Sequence, residues 1–68
     1  MPHIQERFGR NLRNLREKSG LSQEKLAELA DLHRTYISGV ERGERNISLV
    51  NIERLAKALA APLRDLMP

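Results

Sequence analysis

An all-α fold of five helices is what this sequence predicts, on three observations. Apolar residues recur at helical spacing, three or four apart, along most of the chain. Few residues outside the turn signals favour strands, and Phe8 and Tyr36 are the only aromatics. Glycine and proline number only four and three among 68 residues, so they act as punctuation between elements. The length allows one small domain, expected over 1–68. A domain this size buries a modest core and gains from a partner chain.

The first helix is expected from Ile4 to Ser19, with Ile4, Phe8, Leu12 and Leu15 as its apolar stripe and Gly20 as a left-handed C-terminal cap. Arg7, Arg10, Arg13 and Arg16 occupy its other faces. The second starts after Ser22, whose hydroxyl caps the first turn, and Glu24 there suits the helix dipole. Leu26, Ala27, Leu29 and Ala30 are its apolar members. Asp31-Leu32 breaks the chain, and a third helix runs from His33 or Arg34 to Arg42, with Ile37 and Val40 inward and Gly43 ending it. After a loop from Glu44 to Ile47, Ser48 caps a fourth helix whose inward stripe is Leu49, Ile52, Leu55, Ala56 and Leu59. Pro62 suits the first position of a short fifth helix carrying Leu63, Leu66 and Met67.

Composition narrows the function. Without cysteine there is no disulfide and no thiolate metal site. His3 and His33 are far apart with no ligand-like companions, so no metal and no cofactor are expected. No apolar run reaches membrane-spanning length and no signal-peptide pattern opens the chain, so the expected location is cytoplasmic, with no membrane partner. No second domain is expected to sense a small-molecule ligand. An enzyme is not expected, because there is no phosphate-cradling glycine loop, no independently placed Ser/His/Asp set, and the carboxylates are scattered among cations. The net charge is +3 with a pI near 10.0, and nine of the twelve cationic residues are arginine. Arginine's rigid donor fork suits phosphates and guanine edges, although charge alone describes only a mildly basic surface.

Two short helices joined by a turn of about three residues, over about 22–42, form a helix-turn-helix, whose second helix enters the major groove of duplex DNA. The outer face of that helix must carry short polar and cationic side chains. Here it carries Arg34, Thr35, Ser38 and Tyr36, with Arg34 at the end that approaches the bases.

The runs Gly20-Leu21-Ser22-Gln23-Glu24-Lys25-Leu26-Ala27 and Tyr36-Ile37-Ser38-Gly39-Val40-Glu41-Arg42-Gly43 resemble the lambda-repressor-like (Xre) family of DNA-binding domains. The run His33 to Arg42, followed by Arg45-Asn46-Ile47-Ser48, resembles more narrowly the controller proteins of restriction-modification systems. The resemblance extends from Phe8 to Met67. It implies a transcriptional regulator that binds a pseudo-palindromic operator in double-stranded DNA. Arg34, Thr35 and Ser38 would contact bases, and Gln23, Tyr36, Arg42, Arg45 and Asn46 the DNA backbone. Gly39 lacks a side chain where some relatives place a base-contacting glutamine, which throws the sequence preference onto Arg34, Thr35 or DNA shape. The resemblance also implies a partly buried Arg16–Glu41 salt bridge.

Each residue also has a plainer role. Gln23 and Ser38 are as suitable for solvated helix positions, Arg34 for a pair with Asp31, and Tyr36 for packing on the domain edge. An antitoxin or phage repressor of the same fold is one alternative function, and a protein-interaction module that does not bind DNA is another. A homodimer is expected from Val50, which lies opposite the inward stripe of the fourth helix, with Ile47, Leu63 and Met67 extending the patch. Such a dimer would set two recognition helices about 34 Å apart, one turn of DNA.

Overall fold

A computed structural model describes residues 3–68, so residues 1–2 of the expected domain lie outside the described residues. It contains five helices, α1 Ile4–Lys18, α2 Gln23–Ala30, α3 Arg34–Glu41, α4 Leu49–Ala58 and α5 Leu63–Leu66, and no strand among the described residues. The whole measures 31 × 23 × 22 Å.

The starts of α2 and α4 follow from their serines. Ser22 Oγ accepts from the Lys25 N–H at 3.0 Å, and Ser48 Oγ from the Asn51 N–H at 3.1 Å. The ends of α1 to α4 share one device. After α1, Leu21 N–H donates to Arg16 O and Gly20 N–H to Glu17 O while Gly20 turns left-handed at φ 72°. This pair of bonds satisfies carbonyls that the helix leaves open. Gly43 ends α3 in the same way, with Glu44 N–H on Gly39 O. Asp31 and Ala60 do so after α2 and α4, at φ 57° and 53°.

The core gathers Phe8 and Leu12 from α1, Leu26, Ala27 and Ala30 from α2, and Ile37 and Val40 from α3. Ile52, Leu55 and Ala56 from α4 and Leu66 from α5 complete it. Gly9 lets α1 cross α3 closely, since a Cβ there would stand 2.3 Å from the Val40 carbonyl oxygen. Asn11 Nδ2 donates to Leu66 O at 3.3 Å and ties α5 back onto α1.

Several expected details are corrected. α1 stops at Lys18 and α3 at Glu41, with Ser19 and Arg42 as their C-caps. Of the two expected starts of α3, Arg34 is the one observed, with His33 as its N-cap. Pro62 is the N-cap of α5, with ψ 151°, and not its first helical residue. Ile4 and Leu49 do not join the inward stripes, being 59% and 82% exposed. Both open their helices, where the neighbouring elements do not reach over them. Leu29 is likewise exposed.

Candidate nucleic-acid interface

The α2–turn–α3 unit presents one polar face assembled from local and distant contacts. At its base lies the ion pair expected from the sequence. Arg16 Nε donates to Glu41 Oε2 at 2.6 Å and Arg16 Nη2 to Glu41 Oε1 at 3.1 Å, a two-pronged contact between side chains only 11% and 4% exposed. Arg16 Nη1 also donates to Leu21 O at 2.8 Å. The pair therefore joins α1, the α1–α2 turn and α3. Hydrogen bonding to Glu41 holds the Arg16 guanidinium above its already high ordinary value, against the opposing effect of burial.

Gln23 opens α2 but does not stand free. Its Nε2 donates to Glu41 Oε1 at 3.0 Å, which leaves one amide hydrogen for another acceptor. Beside it, the first N–H groups of α2 have no intrahelical partner, as at any helix start.

Along α3, Arg34 and Thr35 are exposed and make no side-chain hydrogen bond or ion pair among the described residues. Arg34 is thus not paired with Asp31, whose residue forms the left-handed cap of α2. Ser38 is engaged: Arg42 Nη1 donates to its hydroxyl, and Arg42 Nη2 donates to Glu44 Oε1 at 3.1 Å. Hydrogen bonding to Arg42, reinforced by its charge, holds the Glu44 carboxyl below its ordinary value.

Arg45 lies across α3. Its guanidinium carbon stands 5.7 Å from the centre of the Tyr36 ring. Its Cγ occupies space that a Cβ on Gly39 would approach to 3.1 Å. The missing side chain at position 39 thus makes room for a cation supplied from the following loop. Tyr36 is half-buried, and its hydroxyl accepts from Asn51 Nδ2 at 3.1 Å. Asn46 is joined to α1 through Gln5 Nε2, which donates to its Oδ1.

The structure therefore brings Gln23, Arg34, Thr35, Tyr36, Ser38, Arg42 and Arg45 onto the two helices and the loop that follows them. Glu44 and Asn51 were not singled out by sequence. Glu44 lies two residues beyond Arg42, a spacing that signals no pair on a helix; the left-handed turn at Gly43 brings the two together. Asn51 carries no local signal either, because its partner is fifteen residues away on another helix. The other expected surface is separate. Val50 is 61% exposed, and Leu63 and Met67 are also open, whereas Ile47 is half-buried against the core. Ile47 and Met67 line a shallow groove of about 160 Å³ together with Ile4, Phe8 and Ile52.

Among the described residues no helix is long and apolar enough to cross a membrane, and no three His, Cys, Asp or Glu residues cluster for a metal ion.

A helix-turn-helix family profile matches residues 12–66. Control protein C.BamHI of Bacillus amyloliquefaciens is 57% identical over 61 residues, covering 88% of this chain and 75% of its own length. Control protein C.MunI of a Mycoplasma species is 49% identical, covering 97% and 90%. The crystal structure of the restriction-modification controller protein C.AhdI from Aeromonas hydrophila superposes with a TM-score of 0.91 at 56% identity, covering 93% of this chain and 96% of that one.

Proposed function

The chain belongs to the lambda-repressor-like helix-turn-helix family of transcription regulators, and from that premise we propose that it is a restriction-modification controller that binds a pseudo-palindromic operator as a homodimer. The observation that carries the reading is the open first turn of α3. Arg34 and Thr35 stand exposed there, without partners among the described residues, at the end of the helix that meets base edges. Arg34 reads a guanine through O6 and N7, and Thr35 and Ser38 contact neighbouring bases.

The other polar residues grip the phosphates. Gln23 offers its remaining amide hydrogen beside the free N–H groups of α2, where the helix dipole also favours an anion. The carboxylate behind it is already matched by Arg16, so it does not repel the DNA backbone unopposed. Arg42, Arg45, Asn46 and Tyr36 extend the contact along the strand. Arg42 must exchange Glu44 for a phosphate, and Ser38 must be shared between Arg42 and the groove. Two copies meet through Val50, Leu63 and Met67, with Ile47 at the patch edge, and act on DNA in the cytoplasm. No small-molecule effector is needed. Occupancy of adjacent sites by a rising protein concentration supplies the regulation.

Selection of bound duplexes from a random DNA pool tests the reading. Recovery of a two-fold symmetric sequence supports it. Failure to enrich any duplex, at low as well as moderate salt, rejects DNA binding and favours a protein-interaction module. On the selected site, Arg34→Ala is expected to cost about 1–3 kcal/mol and to relax the preference at one base pair in each half. An equal loss on every single-base variant and on random DNA removes Arg34 as a base reader.

A further inference from the structure

The bond between Asn51 and Tyr36 has a direction, and the direction has a consequence for DNA binding. Asn51 Nδ2 donates to the Tyr36 hydroxyl at 3.1 Å. Asn51 sits in the first turn of α4, where its own N–H is taken by the Ser48 hydroxyl, so its place is set by the helix cap. A phenolic hydroxyl carries one hydrogen and can also accept, whereas an amide N–H can only donate. With an acceptor position of Tyr36 filled by Asn51, the Tyr36 hydrogen is left for a separate acceptor. No residue among those described accepts it. Accepting one hydrogen bond also makes a hydroxyl a better donor of the next. The ring is held from another side by Arg45, which crosses Gly39 to reach it.

We propose that Asn51 is a positioning residue for DNA binding, which holds the Tyr36 hydroxyl as a hydrogen-bond donor toward a phosphate and keeps Tyr36 and Arg45 together as one backbone contact. The inference rests on the DNA-binding reading above. A phosphate oxygen accepts and does not donate, so it suits a hydroxyl oriented this way and does not suit one whose hydrogen is already spent. Asn51 itself need not touch DNA. Its effect passes through Tyr36.

The test is a double-mutant cycle on the dissociation constant for the selected operator and for a random duplex. It uses Asn51→Ala, Tyr36→Phe and the two combined, with thermal unfolding measured alongside. Asn51→Ala is expected to weaken both duplexes by about tenfold, the scale of one hydrogen bond to a charged acceptor. In the Tyr36→Phe background the same change is expected to cost less than about twofold, since coupled residues do not add.

Asn51→Asp separates positioning from a structural tie between α3 and α4. An ionised carboxylate can only accept, so it keeps the tie but takes the Tyr36 hydrogen. Binding is expected to fall as far as with Asn51→Ala or further. The part caused by the added charge is read from Asn51→Asp in the Tyr36→Phe background. With one tyrosine and no tryptophan in the chain, intrinsic emission reports on this ring alone, and Asn51→Ala is expected to change it before DNA is added. Equal losses from Asn51→Ala with and without the Tyr36 hydroxyl, or no loss at all, overturn the inference while DNA binding stands. A wild-type chain that binds neither duplex overturns both.

Discussion

Replacing Arg16 with methionine keeps most of the side chain's apolar stem and removes its charge. Glu41, whose side chain is 4% exposed in the intact pair, is then left with Gln23 as its one side-chain partner among the described residues, and Leu21 O loses the Arg16 donor. Breaking one side of a buried pair costs about 3–5 kcal/mol, because the remaining charge has lost its water and its counterion. A domain of 68 residues holds a total stability of roughly 3–10 kcal/mol at about 0.05–0.15 kcal/mol per residue. Arg16→Met should therefore sit close to the folding limit. Urea unfolding followed by circular dichroism, at fixed protein concentration, measures the loss. Changing both residues to leucine is expected to cost less than either single change, since neither charge is then left behind. The exposed Arg13–Glu17 pair on the same helix is the internal control, with Arg13→Ala expected to cost at most about 0.5 kcal/mol. A loss below about 1 kcal/mol for Arg16→Met would refute the reasoning, because that is the range of a solvated pair.

Two glycines inside helices should respond with opposite signs. Gly39→Ala is expected to stabilise by up to about 1 kcal/mol, because only the flexible Arg45 side chain must shift, whereas Gly9→Ala drives a methyl into the Val40 carbonyl and destabilises; thermal unfolding distinguishes them. Glu44→Gln frees Arg42 from its competitor and is expected to tighten binding to cognate and random DNA alike, read by fluorescence anisotropy of labelled duplexes. Because the folded Glu44 carboxyl titrates below its ordinary value, its stabilising contribution is present above that ordinary value and is lost as pH falls through the lowered one. Carboxyl NMR should show this titration move back up in Arg42→Ala. Val50→Asp places a charge in the exposed apolar patch and is expected to shift sedimentation toward monomer without unfolding the domain.

Much of the fold was legible because helix boundaries are written locally. Ser22 and Ser48 start α2 and α4, and Gly20 and Gly43 end α1 and α3. The interior periodicity of Phe8, Leu12, Leu26, Ile37, Val40, Ile52 and Leu55 named the buried residues. Local signals were silent where the chain used an unusual residue. Ala60 takes a left-handed φ, which its type does not announce. They also misled at helix starts, because Ile4 and Leu49 keep the period of their stripes but extend past the elements that would cover them.

The polar face divides along the same line. That Arg34 and Thr35 open a second short helix after a tight turn was determined by the sequence itself, since spacing along one helix sets which face they occupy. What each polar side chain is bonded to before DNA arrives was decided only by tertiary structure. Gln23 meets Glu41 eighteen residues away, Arg16 meets Glu41 across twenty-five, and Asn51 meets Tyr36 across fifteen. The physical reason is that a hydrogen bond forms where two groups come within about 3 Å. Between different helices, that distance is set by how the apolar stripes pack and not by any pattern along the chain.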